Sequence, residues 1–175
     1  DLHSFPTRRS SDLDLNANIP EFYYAGNDLR HTELHLESYK NIIQTSLKTE
    51  RMIKGKATEL NLNAYANQNK LITRLDWDNH KSPAMKGNIN LIGYFHRDLS
   101  DHQAIEGVIN TSNIIINDTV WTLLPAHVNY HDNDEDVENV KLKCDNRHIA
   151  LNGRMSKEST DSLTSDLNQI DLSYL

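Results

Sequence analysis

Residues 60–67 read Leu60-Asn61-Leu62-Asn63-Ala64-Tyr65-Ala66-Asn67. Successive side chains of an extended strand point to opposite faces. The alternation therefore sends Leu60, Leu62, Ala64 and Ala66 one way and Asn61, Asn63, Tyr65 and Asn67 the other. The pattern returns in Leu71, Thr73, Leu75 and Trp77 after a turn at Asn67-Gln68-Asn69, and again in Ile89, Leu91, Gly93 and Phe95. Between the last two rows lies a loop from His80 to Lys86, where Pro83 would interrupt a ladder. A repeated period of two defines an all-β chain with one apolar and one solvated face.

The second half continues in the same manner. Ile114 to Ile116 faces Thr119 to Leu124 across Asn117-Asp118, a two-residue hairpin signal. Ala126, Val128 and Tyr130 form the next apolar row, and an acidic stretch from Asp132 to Asp136 is expected to turn the chain. Val140, Leu142 and Cys144 lead to a turn at Asp145-Asn146-Arg147, Ile149, Leu151 and Gly153 return, and a last strand is expected from Leu163 to Leu167. Tyr39 to Met52 places Tyr39, Ile42, Ile43 and Leu47 roughly on one helical face. Gln44-Thr45-Ser46 is poor helix material, however, and strands flank the segment, so strand is the expectation there. Residues 14–28 show no clear period and read as an irregular lead-in, with residues 29–175 as the strand meander. About ten strands at ~4.8 Å spacing would make a sheet ~50 Å wide, which must curl, split or cover itself. The expected fold is a long, antiparallel, curled sheet, an open trough, as a fragment of an elongated protein.

Residues 3–13, HSFPTRRSSDL, resemble one reading frame of a common short-read sequencing adapter carried into an assembled gene. Residues 1–13 are therefore set outside the fold. The native N-terminus, with any leader or membrane anchor, is then expected to be missing.

Composition narrows the function. The 175 residues are 37% hydrophobic with a net charge of −7, and the mean hydropathy is −0.67. No basic stripe is present, and phosphate-backbone binding needs clustered Lys and Arg, so nucleic acid is not an expected partner. The single cysteine, Cys144, precludes an internal disulfide framework. No apolar run approaches the ~20 residues needed to span a bilayer as a helix.

The chemistry-bearing residues form no expected catalytic or metal site, and no cofactor is implied. His31 and His35 are spaced H-x-x-x-H, but Thr32 stands where a zinc protease carries Glu. On a strand, positions four apart lie ~13 Å from each other, too far for one zinc. Asp132, Asp134 and Asp136 mimic the start of a calcium loop, but Val137 replaces its Gly and Lys143 its final Glu. His96, Asp98, Ser100, Asp101 and His102 read as a polar loop, with no serine in a nucleophile-elbow context. Gly87, Gly93, Gly107 and Gly153 are spread through strands and form no phosphate cradle; bulges or close packing in a curled sheet account for them. Cys144 reads as a small buried side chain, and Trp77 and Trp121 as packing anchors.

In the second half, Asn117-Asp118-Thr119-Val120-Trp121 is followed by Leu124-Pro125-Ala126 and Val137-Glu138-Asn139-Val140. Then come Arg147-His148-Ile149-Ala150-Leu151-Asn152-Gly153-Arg154-Met155-Ser156-Lys157, Asp161-Ser162-Leu163 and Leu167-Asn168-Gln169-Ile170-Asp171-Leu172-Ser173-Tyr174. This order resembles the translocation and assembly module family of TamB and its AsmA-like relatives, in their Bacteroides-type form. The resemblance extends well over residues 57–175 and loosely over residues 21–56. It implies a taco-shaped trough with an apolar interior, anchored to the inner membrane by a missing N-terminal segment in the periplasm. It further implies phospholipid movement toward the outer membrane, with acyl chains as ligand. Parts outside this chain would engage an outer-membrane assembly protein.

The residues suit such a lane. Leu60, Leu62, Leu91, Phe95, Ile116, Leu142, Ile149 and Leu151 are the groove candidates. Asn61, Asn63, Asn90, Lys141, Lys143 and Asn152 would face water. An acyl chain gains about 0.8 kcal/mol per CH₂ moved from water onto an apolar surface, which calls for an uninterrupted apolar path. The same rows could instead fill a sandwich core, in a surface β-sandwich or β-solenoid binding carbohydrate or protein. A hydrolase on a β-scaffold lacks a paired acid and base. Whether Leu62, Leu91, Ile116 and Leu151 line an open face or a closed core separates the first two readings.

Overall fold

The computed structural model describes residues 13–53, 55–97, 101–131, 134–155 and 162–170. These residues form thirteen strands and no helix. The strands are β1 (Leu13–Tyr24), β2 (Asn27–Tyr39), β3 (Ile42–Ile53), β4 (Lys56–Asn67), β5 (Lys70–Asp78), β6 (Met85–Arg97) and β7 (Gln103–Ile109). They continue as β8 (Ser112–Ile116), β9 (Thr119–Leu123), β10 (Ala126–His131), β11 (Asp134–Cys144), β12 (Arg147–Met155) and β13 (Leu163–Asn168). All belong to one antiparallel sheet.

Tight turns make this meander possible. Residues 25–26, 40–41, 68–69, 117–118 and 145–146 each join strands whose flanking residues are paired. Their backbone is left-handed where a primed turn demands it: φ is +47° and +79° at Ala25 and Gly26, and +50° and +61° at Asn117 and Asp118. Such turns match the right-handed strand twist, so the chain reverses without splaying the pair.

One long hairpin is broken in its middle. β7 and β8 meet β10 and β9 in a single register, with Ile109 opposite Ala126 and Ser112 opposite Leu123. β11 keeps one register across the same break, Glu138 against His127 and Leu142 against Leu123. The interruption falls at Leu124-Pro125, where proline supplies no N–H to the ladder. The neighbouring groups remain satisfied, because Asn110 N donates to Asn90 O at 2.9 Å and Leu124 N to Lys141 O at 2.8 Å. The broken hairpin raises the strand count above the expected ten without changing the meander.

Two readings made from local pattern are corrected. Residues 14–28 are not an irregular lead-in: β1 occupies Leu13–Tyr24 and pairs with β2 along its length. Its alternation is present from Leu13 to Ile19 and breaks only beyond it, beside the β2–β3 register slip between Arg30 and Glu33. His31 there has φ +50°, and a bulge flips the alternation. Leu13, Leu15, Ala17 and Ile19 share a face that resumes at Phe22, not at Glu21. The acidic stretch is also shorter as a turn, since β11 already begins at Asp134; Asp132 lies outside the described residues, as do Asp98 and Ser100. Within the segment from Tyr39 to Met52 the strand expected is β3, Ile42–Ile53, reached through a turn at Lys40-Asn41.

Burial is local. Ala126, Leu123, Trp121 and Ile114 are 0–8% exposed. Among the described residues the contacts between strands are those of ladder neighbours within one sheet. Burial of this kind is consistent with a curled sheet. The Trp121 ring is capped by Arg147, its guanidinium 5.1 Å from the centroid. At the first bulge, buried Thr32 and Thr49 join their hydroxyls at 2.7 Å, and Thr49 Oγ1 donates to Arg30 O at 3.2 Å. These two hydroxyls are thereby satisfied rather than left dry.

Candidate functional site

The ladder register assembles the apolar side chains into rows that cross the strands. Leu34, Leu47, Leu62, Leu75 and Ile89 are successive partners from β2 to β6. Leu60, Trp77, Gly87, Ile114 and Trp121 form a second row, and Thr73, Leu91, Ile109 and Ala126 a third. Leu123, Leu142, Ile149 and Leu167 continue the surface to the far edge. Paired residues of an antiparallel ladder project to the same side, so the rows share one face.

All the groove candidates lie on that face. Leu60, Leu62 and Leu91 sit in its middle, Phe95 opposes Ile105 near one end of β6, and Ile116 opposes Met85 near the other. Leu142, Ile149 and Leu151 extend it through β11 and β12. The β11–β12 bulge keeps the face continuous. Val137 and Val140 are three apart, yet both pair with apolar-side positions, Gly153 and Leu151. The second bulge is held by Asn139, with φ +56°, whose N–H donates to Asn152 Oδ1 at 2.7 Å. Leu60, Leu62, Leu91, Ile116, Leu142, Ile149 and Leu151 are half-buried by their neighbours and Phe95 is 40% exposed. The face is open among the described residues.

Three glycines thin this surface where large side chains cross it. A Cβ on Gly87 would stand 2.8 Å from the Trp77 ring, and one on Gly107 would stand 2.6 Å from Val128 Cγ2. Gly153 has φ +136° and backbone of Ser162 against its Cβ position. Close approach, and one bulge, account for these residues rather than phosphate binding. The face is not uniformly apolar, since Thr45, Thr73 and Ser112 interrupt the rows. Ser112 is 8% exposed and its hydroxyl has no hydrogen-bond partner.

The opposite face carries Asn61, Asn63, Asn90, Lys141, Lys143 and Asn152. It is laced by ion pairs and amide contacts. Arg74 binds Asp76 through Nε at 2.8 Å and Nη2 at 2.7 Å, which raises the Arg74 pKa. The Asn61 amide, donating at 2.8 Å, holds Glu59 below its ordinary carboxylate range, with burial opposing and Lys48 and His80 assisting. His31 contacts Glu50 at 3.1 Å and His35 contacts Asn16 at 2.6 Å. His96 lies 4.0 Å from Glu106. Two shallow recesses of about 300 and 240 Å³ open on this polar side around His35, Ser46 and Asn63, so the concavities of the sheet are not confined to its apolar face. Among the described residues no group of three His, Cys, Asp or Glu could hold a metal. Cys144 is buried, with Arg147 Nη2 3.0 Å from its sulfur.

No family model, curated protein or solved structure matches the chain. No helix among the described residues is long and apolar enough to cross a membrane.

Proposed function

We propose that this chain is a segment of a cell-envelope bridge protein of the TamB and AsmA-like kind, which offers phospholipid acyl chains a passive apolar path toward the outer membrane and serves outer-membrane protein assembly. The observation that carries this reading is the register, which gathers Leu60, Leu62, Leu91, Ile116, Leu142, Ile149 and Leu151 on one uncovered face. Continuous exposed apolar surface of this kind marks contact with lipid or another apolar partner. Each methylene moved onto it gains about 0.8 kcal/mol, so attraction accumulates along the path without a specific pocket. Such a role needs no catalytic group and places the chain in the periplasm. The alternative of a β-sandwich lacks its second sheet among the described residues.

Photo-crosslinking tests the proposal. Benzoylphenylalanine at Leu62, Leu91, Ile116 or Leu151, irradiated with phosphatidylethanolamine vesicles, is expected to yield lipid adducts by mass spectrometry. Asn61 and Asn63, on the reverse face, serve as controls. Equal capture on both faces, or none at the leucines, would refute a directed lane.

A further inference from the structure

At one rim of the sheet, three parts of the chain border a recess of about 380 Å³. They are the facing ends of β3 and β4, the loop 79–84 between β5 and β6, and the β8–β9 turn at Asn117. Ile53, Ala57, Pro83 and Met85 provide apolar wall, and Lys56 and Lys81 also line the space. Ile53 and Met85 are each 47% exposed. Both extend the apolar face, Ile53 opposite Lys56 and Met85 opposite Ile116. The recess is therefore an end of that face.

Its charge sets it apart. Among the described residues no carboxylate lines it, in a chain whose net charge is −7. Among the described residues Lys56 and Lys81 have no acidic partner within ion-pair distance, whereas Lys48 lies 3.8 Å from Glu59. The wall is also preformed. Asn79 Nδ2 donates to Pro83 O at 2.9 Å, and Asn79 Oδ1 accepts from Met85 N at 3.0 Å. Ala84 N donates to Asp118 Oδ1 at 2.8 Å, and Asp118 N returns a bond to Ala84 O at 3.2 Å. A loop held in this way loses little further freedom when a ligand arrives.

We propose that this recess seats the head end of an acidic phospholipid. Its phosphate meets Lys56 and Lys81, and its first methylenes meet Ile53, Pro83 and Met85. The inference rests on the acyl-carrying role above and adds an anionic headgroup and a point of entry. The volume falls within the ~300–1,000 Å³ of small-molecule sites, too small for a whole two-chain lipid, whose tails would continue along the open face. Lysine suits the task, because its stem packs on apolar surface while its ammonium reaches a phosphate as a point charge.

Dodecyl phosphate, held below its micelle concentration, is the probe, titrated into the purified chain by calorimetry with inorganic phosphate in parallel. Reversing both charges in the Lys56→Glu/Lys81→Glu variant is expected to weaken dodecyl phosphate about tenfold at low salt. The Lys56→Arg/Lys81→Arg variant should retain the affinity, and inorganic phosphate should bind far more weakly than the amphiphile. Unchanged affinity after charge reversal would overturn the proposal, as would inorganic phosphate binding as tightly as dodecyl phosphate. The two readings separate cleanly. Lysine-independent binding with lipid capture at Leu62 removes the headgroup seat and leaves the path. Lysine-dependent binding with no capture at Leu62 or Leu91 removes the path, and with it the link between this recess and lipid carriage.

Discussion

Gly107 marks how closely the apolar rows approach one another. The Cβ that alanine would add meets Val128 Cγ2 at 2.6 Å, the Val128 carbonyl oxygen at 3.1 Å and Leu91 Cδ1 at 3.2 Å. Valine is stiff about χ1 and backbone cannot withdraw cheaply, so Gly107→Ala is expected to destabilise by about 1–3 kcal/mol. Gly93 is the control on the same row, since its nearest neighbour would be Ile105 Cγ2 at 3.7 Å. Gly93→Ala should be within about 0.5 kcal/mol of the parent. Urea denaturation midpoints of the two variants provide the measurement, and equal shifts would mean the rows do not close on Gly107. None of this was legible locally, because a glycine in an alternating strand looks the same whether space or a neighbour's side chain lies above it.

Among the elements, the β8–β9 hairpin does more than reverse the chain. Asn117 and Asp118 both hold left-handed backbone, and Asp118 also receives the Ala84 N–H from the neighbouring loop. Asp118→Ala should cost about 1–2 kcal/mol, since it forfeits that bond and puts alanine where left-handed backbone is unfavourable. Asp118→Gly should cost less, losing the bond but relaxing the turn. The difference in thermal or urea midpoint, with the Ala84 amide followed by NMR, reads the two contributions separately; indistinguishable variants would deny the turn its left-handed strain. The hairpin was legible from Asn117-Asp118, as was β3 from its poor helix formers and strand flanks. β1 was legible only as far as Ile19, because the bulge at His31 slips the alternation beyond it. A period of two read along one chain cannot reveal a shift imposed by its partners.

For the whole molecule, a sheet whose strands touch only ladder neighbours is stabilised step by step from its buried patch outward. Hydrogen exchange should therefore be graded. The slowest amides are expected in β9 and the flanking parts of β11 and β12, around Trp121, Leu123 and Ala126. β13, with every residue exposed, and the opposite edge β1 should exchange orders of magnitude faster at neutral pH. Uniform protection from β1 to β13 would instead indicate a cooperative closed core and would count against an open face. Among the described residues β1 and β13 are the two edges of the sheet, and Pro20 within β1 is the kind of residue that discourages pairing with a stray strand.

The sequence by itself determined that most of the chain is built of strands and which side chains share a face wherever no bulge interrupts the alternation, because alternation is a property of the local backbone. It also located the Asn117-Asp118 reversal, where turn chemistry is local too. Only the tertiary structure decided how those faces register. It aligned Leu62 with Leu47 and Leu75, split one hairpin at Pro125, and left the assembled face uncovered among the described residues. It also brought Lys56 to the same recess as Lys81 and Met85. Register and cover depend on partners distant in sequence, and no period within a single strand encodes them.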